Sequence, residues 1–402
     1  MKICQVATGY TSIPAKTSAA TEIVIEHLSN HLVKHAQDVV VIDIYEDHRH
    51  KMEFDIVDIK MPKGFGSYDY THELGVKHKL KRVIYSLKVR EVLSKIVHQE
   101  DIDVLHVHNQ YNGFFLKKNY GKKKIFFVYT VHSHIWSRPW DEIKEKIKTN
   151  YWLERQCLKK ADKVIVLNNF AKDNIILNLN IDEERIEVMA NGVNTLIYKK
   201  LNSGEWDKKE FRSRYAKEDE LILLHVGSFE KRKNQQFIIK NLKQINKIKR
   251  VKLLLIGQVV DKAYFKDLQD MIKENELSDI INVIGEVKPG KEINKFFNIA
   301  DIFVFPSFAE AFSLVILEAM AVGLSVLCAN IPSIKDVSKN SNDMVFFNLE
   351  DNGDFIRKIQ HLLINDDYRR EVGCNACNTV SNYYTWDKVS REYLNIYESL
   401  MQ

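Results

Sequence analysis

Short runs of aliphatic and β-branched residues alternate along the chain with segments whose apolar residues recur at helical spacing. This alternation predicts βαβ units built around parallel sheets. The segment TEIVIEHLSNHLVKH shows the helical spacing clearly, since Ile23, Val24, Leu28 and Leu32 fall on one face. The strands predicted in the first half are KICQVAT, DVVVIDI, DVLHVH, KIFFVYTVH, KVIVLN and RIEVMAN.

A charged stretch at 199–220 interrupts the pattern, and a second alternating series follows it. Because the pattern starts again after this stretch, we predict an α/β protein with two doubly wound, Rossmann-like domains. They comprise residues 1–197 and 198–380 and face each other across a cleft. Such domains bind ligands at the carboxyl ends of their strands, and clefts between domains are favoured sites. The strands predicted in the second half are LILLHVG, KLLLIG, INVIGEV, DIFVFPS and LSVLCA.

Composition narrows the class of protein. A chain of 402 residues exceeds the size of a single hydrophobic core, and a net charge of +5 is too small for a dedicated nucleic-acid binder. Five scattered cysteines do not form a disulfide framework. The amino terminus reads as a strand rather than a signal peptide. We therefore expect a cytoplasmic protein.

The run PSFAEAFSLVILEAMAVG, at 306–323, is apolar apart from two carboxylates, Glu310 and Glu318. Pro306 ends a predicted strand, Ser313 is a candidate helix N-cap, and Gly323 lies where the helix ends. Eight helical residues span about 12 Å, too far for an acid/base pair on one helix.

Two separate binding roles fit these positions better than one acid/base pair. The amides of Ala311, Phe312 and Ser313 and the helix amino terminus would face an anion such as a diphosphate. Glu318, further along the helix, would accept hydrogen bonds from a vicinal diol, as the acidic residue of dinucleotide-binding folds does with ribose.

This E-x7-E run, between a strand ending in PS and a helix reading LEAMA-G, resembles the signature of the retaining family-4 glycosyltransferases of the GT-B type. The segment HVGSFEKRK, at 225–233, is similar to the family motif V-G-R-L-x-x-x-K-G. Lys233 matches the lysine that meets the donor diphosphate, and Gly227 matches the glycine. Ser228 stands where an arginine is usual, so we expect Arg232 to supply that charge.

The resemblance extends over nearly the whole chain. VIGEV, at 283–287, matches the strand whose following loop packs on the nucleobase, at Val287. ANGVN, at 190–194, matches the turn that closes the first domain, and the helix at 381–402 resembles the one that crosses back to that domain. In TVHSH, His132 matches the histidine beside the donor sugar.

Some features depart from the family or compete with its functional interpretation. The family has Gly-Gly-x-Glu before the first helix, where this chain has Ala19 and Ala20, which we expect to alter acceptor geometry or donor contact. His106 and His108 share one face of an extended chain and suggest metal ligands, but no third ligand occurs at a recognisable spacing.

The resemblance implies transfer of a hexosyl or N-acetylhexosaminyl group from a nucleotide-diphosphate sugar to a glycan or lipid-linked acceptor. It implies retention of configuration, no cofactor and no metal, within bacterial surface polysaccharide or glycolipid synthesis. The alternatives are a sugar-nucleotide epimerase or hydrolase of this fold, or a catalytically silent nucleotide-sugar-binding subunit. The implied catalytic residues are Glu310, His132 and Lys233, and the implied donor-binding residues are Ser228, Arg232, Lys233, Val287, Glu310, Ala311, Phe312, Ser313, Leu314 and Glu318.

The segment at 77–95 has seven Lys or Arg against one acidic residue. Leu80, Val83, Ile84 and Leu87 form an apolar stripe along it. One interpretation is a docked helix with a solvated basic face. The other is a peripheral membrane helix on the inner face of the plasma membrane, held by anionic lipid and assisted by Trp136 and Trp140.

Overall fold

The structure is a computed structural model that describes residues 1–15, 19–65, 76–117, 120, 124–202, 204 and 206–402. The chain divides into two compact units. The first comprises Met1–Asn191 together with Trp386–Gln402, and the second comprises Gly192–Thr385. Each unit is a parallel sheet with helices, so the predicted α/β class with two Rossmann-like domains is confirmed.

The first unit is built on a parallel sheet with seven strands among the described residues, in the order β3-β2-β1-β4-β5-β6-β7. Because the order reverses between β1 and β4, the carboxyl ends of these two strands flank a topological switch point. The strands are β1 Lys2–Val6, β2 Asp38–Ile44, β3 Asp55–Ile59, β4 Val104–Val107, β5 Phe126–Thr130, β6 Lys163–Val166 and β7 Ile186–Val188.

The carboxy-terminal helix completes this unit. It packs on α1, where the His27 and Trp386 rings stack with their centroids 5.6 Å apart. The His35 imidazole also contacts the Ser390 hydroxyl, with a separation of 3.0 Å. The helices are α1 Ala20–Lys34, α2 Val76–Gln99, α3 Gln110–Phe115, α4 Trp140–Lys148, α5 Trp152–Lys160, α6 Asn169–Leu179 and α15 Trp386–Met401.

The second unit contains a parallel sheet with six strands among the described residues, in the order β10-β9-β8-β11-β12-β13. Its switch point lies between β8 and β11. The core strands are almost entirely aliphatic, as expected of a sheet covered on both faces. The strands are β8 Leu221–Val226, β9 Val251–Ile256, β10 Ile281–Gly285, β11 Ile302–Phe305, β12 Ser325–Ala329 and β13 Val345–Phe347.

Close backbone approaches shape the strand ends near this switch point. A Cβ added to Gly257 would lie 2.0 Å from the carbonyl oxygen of Gly227, so the ends of β9 and β8 meet without room for a side chain. The helices of this unit are α7 Lys208–Ser213, α8 Gln235–Ile248, α9 Lys262–Glu274, α10 Lys291–Ile299, α11 Leu314–Ala321, α12 Pro332–Lys335, α13 Asn352–Ile364 and α14 Asp366–Tyr383.

Helix α2 buries a different stripe from the one suggested by its sequence. Its core-facing residues include Tyr85, Val89 and Leu93, whereas the Leu80 and Leu87 side chains remain about half exposed. No helix within the described part of the chain is long and apolar enough to cross a membrane. The expectation that Trp136 assists binding at a membrane surface was wrong. That side chain is fully buried, and its indole N–H donates to Glu154.

Candidate active site

The second unit gathers a charged cluster at the carboxyl ends of its two central strands. Lys233 ends a short 3₁₀ turn after β8, and Glu310 lies in the loop after β11. Since β8 and β11 are neighbours in the sheet, residues 77 positions apart meet. Lys233 Nζ lies 2.7 Å from Glu310 Oε1, and Arg232 Nη1 lies 2.8 Å from Glu310 Oε2. Three of the residues implied by the resemblance are therefore in direct contact.

Burial and ion pairing act against each other in this cluster. Burial favours a neutral Glu310, but the adjacent Lys233 and Arg232 outweigh it and hold the pKa of the carboxyl below its usual value. Burial lowers the pKa of Lys233, and the Glu310 charge only partly restores it. The Glu310 side chain is only 6 % exposed. We infer that it stays ionised because two cations compensate it.

Arg232 is held in place by a further carboxylate. Its Nη2 lies 2.8 Å from Glu230 Oε1, and its Nη1 also donates to the carbonyl oxygen of Ala309 at 3.0 Å. Ser228, at the position where the family has arginine, donates its hydroxyl to the same Glu230 oxygen at 2.7 Å. The Arg232 guanidinium thus lies on Glu310, while Ser228 supports the residue that orients it.

The amino terminus of α11 lies just beyond this cluster. The helix begins at Leu314, so its first amides have no acceptor within the helix. Ser313 occupies the N-cap position, but its hydroxyl makes no capping bond. That hydroxyl is buried and has no hydrogen-bond partner among the described residues. A buried hydroxyl in this state is suited to an incoming acceptor such as a phosphate oxygen.

Glu318 lies in the second turn of the same helix, away from the cations. Burial raises the pKa of its carboxyl to about 7, although a hydrogen bond with Tyr198 opposes the shift. The Tyr198 hydroxyl also accepts the amide N–H of Gly290 at 3.1 Å. Gly290 has a φ of +97°, a conformation that favours glycine. Tyr198 therefore connects Glu318 to the loop between β10 and α10.

The other implied donor residues surround these groups less closely. Val287, whose side chain is aliphatic, is half-buried in the loop between β10 and α10. The Phe312 ring lies 6.4 Å from that of Tyr384, and Ala311 is buried beside Glu310.

The first unit carries a chain of imidazoles at its own strand ends. His132 Nε2 lies 3.0 Å from His108 Nδ1, and His108 Nε2 lies 2.7 Å from the Gln5 side-chain oxygen. His106 contacts the Tyr397 hydroxyl at 2.7 Å and the Thr130 hydroxyl at 2.6 Å.

Burial lowers the pKa of each of these imidazoles, to about 4 for His132 and about 3 for His106. Both ring nitrogens of His106 and of His108 have hydrogen-bond partners. No cluster of three metal-ligating side chains occurs among the residues that the structure describes. His106, in β4, and His108, just after it, therefore act as hydrogen-bonding groups in this structure.

Ala19 is the N-cap residue of α1, with φ at −78°, a value that any residue adopts. Alanine is therefore accommodated at this end of the loop. Ser18, which precedes it, lies outside the described residues. Glu22 is fully buried, accepts a hydrogen bond from the Thr8 hydroxyl, and has its pKa raised to about 8 by burial.

Three residues that complete these arrangements were not singled out from the sequence, and a fourth was considered only as a metal ligand. Glu230 orients Arg232, Tyr198 contacts Glu318, and Gln5 contacts His108, which in turn contacts His132. The alternation Ser228-x-Glu230-x-Arg232 is the one usable signal, since it pairs a carboxylate with a nearby cation.

Comparison with known proteins identifies the family of the chain. Residues 21–195 match the model of glycosyltransferase family 4, and residues 207–379 match that of the group 1 glycosyl transferases. The chain belongs to glycosyltransferase family 4. The family resemblance and the prediction that the protein is a glycosyltransferase are thereby confirmed.

The family-4 chain is similar over its whole length to an uncharacterised glycosyltransferase of Methanocaldococcus jannaschii, at 23 % identity over 100 % of this chain and 99 % of the relative. Among solved structures it is similar to sucrose-phosphate synthase of Thermosynechococcus elongatus, with a TM-score of 0.81, 18 % identity, and coverage of 100 % and 99 %. It is also similar to Anabaena HepE in complex with UDP and glucose, with a TM-score of 0.75, 16 % identity, and coverage of 99 % and 100 %. These structures share the GT-B fold.

Proposed function

We propose that this glycosyltransferase moves a sugar, with retention of anomeric configuration, from a nucleotide-diphosphate sugar to a hydroxyl of a glycan or lipid-linked acceptor. The observation that supports this most directly is the Arg232–Glu310–Lys233 cluster in front of α11. Two cations and free helix amides suit a departing diphosphate, and they need no resident metal to neutralise it.

Each of these residues binds a different part of the donor. Lys233 and Arg232 bind the diphosphate together with the amides ahead of α11. Glu310 orients sugar hydroxyls, and Glu318 accepts the ribose diol with the help of Tyr198. On the family resemblance, we assign His132 a contact with the donor sugar. Its imidazole is neutral near pH 7, because burial lowers its pKa to about 4.

The comparisons support this choice of donor class. The HepE structure contains UDP and glucose, and a further HepE structure contains UDP-glucose. Membership of a glycosyltransferase family favours transfer to an acceptor over epimerisation or hydrolysis of the donor. A role in bacterial surface polysaccharide or glycolipid synthesis is consistent with this chemistry.

The deciding experiment replaces Glu310. A thermal-shift screen of nucleotide sugars identifies the donor, and product analysis with lipid-linked acceptors identifies the reaction. We expect Glu310→Ala to abolish transfer while the circular dichroism spectrum stays unchanged, because the carboxylate touches the reacting sugar. The exposed Glu274→Ala, in α9 and without a role in the proposed site, is the matched control. Near-normal turnover of Glu310→Ala would overturn the assignment.

The same product tests stereochemistry and metal use. We expect the anomeric configuration of the donor to be kept, as read by proton NMR of the product. Transfer should also persist in EDTA, because the protein's own cations neutralise the diphosphate. An inverted product, or loss of activity that Mg²⁺ restores, would contradict this mechanism.

We also propose that helix α2 meets an anionic membrane surface. Its outward side combines half-exposed Leu80 and Leu87 with exposed Lys77 and Lys95, which suits an interface of lipid headgroups. Flotation with liposomes should depend on anionic lipid, and binding that ignores lipid charge would refute this proposal.

A further inference from the structure

Glu310 already binds the two cations that the proposed function assigns to the donor diphosphate. Its Oε1 lies 2.7 Å from Lys233 Nζ and its Oε2 lies 2.8 Å from Arg232 Nη1. Each carboxylate oxygen therefore has a cation of its own. Carboxylate and phosphate oxygens compete for the same guanidinium and ammonium donors. Both hydrogens of Arg232 Nη1 are used, one by Glu310 and one by the Ala309 carbonyl oxygen, so a diphosphate oxygen can bind this nitrogen only by displacing a present partner.

We propose that Glu310 is the resident counter-ion of the diphosphate site, and that the donor displaces it. The diphosphate takes over Lys233 and the Nη1 side of Arg232, and this exchange frees the Glu310 oxygens to accept hydrogen bonds from the sugar. The proposal rests on the proposed function, which identifies the ligand of this site as a diphosphate.

The other contacts of Arg232 make such an exchange feasible. Its Nη2 remains on Glu230, which is itself held by the Ser228 hydroxyl. The guanidinium therefore does not need to leave its position when Glu310 releases Nη1. Lys233 is anchored differently, since its Nζ also lies 5.2 Å from the centroid of the Phe305 ring. Both cations stay in place while their anionic partner changes.

The burial of the cluster explains why an internal counter-ion is needed. The Lys233 and Glu310 side chains are 12 % and 6 % exposed. A buried cation without a partner is costly, so the empty site requires an anion of its own. The consequence is a competition. Glu310 stabilises the empty site and thereby weakens binding of any diphosphate.

This competition predicts an unusual mutant. Replacing Glu310 by glutamine removes the competing charge but keeps the shape of the side chain. We expect Glu310→Gln to bind inorganic pyrophosphate about tenfold more tightly than the wild type, although the same change abolishes sugar transfer. Pyrophosphate is the probe because it carries the diphosphate alone and needs no knowledge of the nucleobase.

The experiment is isothermal titration calorimetry of pyrophosphate in EDTA, with wild type, Glu310→Gln and Lys233→Ala. Glu292→Gln is the matched control, since it removes one exposed carboxylate that pairs with Lys295 and touches neither cation of the site. It should bind pyrophosphate as the wild type does. If Glu310→Gln does not fold, Glu310→Asp takes its place, because the shorter side chain cannot span both cations and should also bind more tightly.

The outcomes separate this inference from the proposed function. Wild-type binding that is lost in Lys233→Ala, with equal or weaker binding by Glu310→Gln, would overturn the exchange and leave the diphosphate site intact. Tighter binding by Glu310→Gln supports the exchange, also where wild-type binding is too weak to measure. Binding that Lys233→Ala does not reduce, or no binding by any variant, would remove the diphosphate site and the exchange with it.

Discussion

In both units, polar residues lie at the carboxyl ends of the central strands of a parallel sheet. These residues are charged in the second unit and neutral in the first. In the second unit the residues after β8 and β11 form ion pairs, with Glu310 between Arg232 and Lys233. In the first unit the residues on and after β4 and β5 form a chain of neutral imidazoles from Gln5 through His108 to His132.

Burial has a different result in each case. Where a buried carboxylate meets two cations, their charges hold its pKa down against desolvation. Where imidazoles meet only other imidazoles, amides and hydroxyls, desolvation dominates and their pKa values fall. The carboxyl end of a parallel sheet therefore sets where a site lies. The partners of each side chain decide whether that site is charged or neutral.

The largest effect should come from breaking the charged cluster. We expect Lys233→Ala to lower kcat/KM for the donor by at least about 100-fold, or about 3 kcal/mol of transition-state stabilisation, because the diphosphate loses a buried cation. Steady-state kinetics with the identified donor measures this. Lys231→Ala, in the same turn but exposed, should have a small effect. A defect confined to the acceptor KM would contradict the role of Lys233.

A smaller effect should follow from breaking the neutral chain. His108→Ala leaves the Gln5 oxygen and the His132 Nε2 without their present partner. We expect the free energy of unfolding to fall by about 2–3 kcal/mol, since buried polar groups lose their hydrogen bonds. Urea denaturation measures the loss, with the exposed His361→Ala as control. An unchanged midpoint would show that the chain contributes nothing to stability.

The smallest effect concerns pH and sharpens the contrast between the units. His106 has a pKa of about 3 when folded and about 6.5 when unfolded, so the unfolded chain binds more protons between these values. The contribution of His106 to the free energy of unfolding is complete above about pH 6.5 and is lost as the pH falls. At pH 5 the wild type should have lost about 2 kcal/mol through this one group.

Comparison of the wild type with His106→Gln isolates the pH-dependent contribution of His106 to the free energy of unfolding. The difference in unfolding free energy between wild type and variant should shrink by about 2 kcal/mol from pH 7.5 to pH 5, because glutamine does not titrate. A difference that stays constant with pH would mean that folding does not lower the pKa of His106.

Much of the architecture was predictable from the chain itself. The alternation of strand and helix patterns predicted the two parallel-sheet units, and DVVVIDI matches β2 residue for residue. The strands that the pattern missed, Asp55–Ile59 and Val345–Phe347, lie at sheet edges. They are short, and Asp55–Ile59 is only partly buried, so the hydrophobic signal is weak there.

The sequence alone predicted two α/β units with acidic and basic residues at strand ends, because hydrophobic periodicity and local motifs depend on neighbouring residues. The glycosyltransferase activity came from the resemblance of those motifs to a known family, which the family models then confirmed. Only the tertiary structure decided that Arg232 lies on Glu310, that Glu230 orients it, and that His108 connects Gln5 to His132. Apart from the local Glu230–Arg232 pair, those contacts join segments that belong to or follow different strands, up to 103 residues apart, and depend on strand order and side-chain direction. The same reason applies to helix α2, whose sequence contains more than one apolar stripe; the tertiary structure buries the stripe that includes Tyr85, Val89 and Leu93.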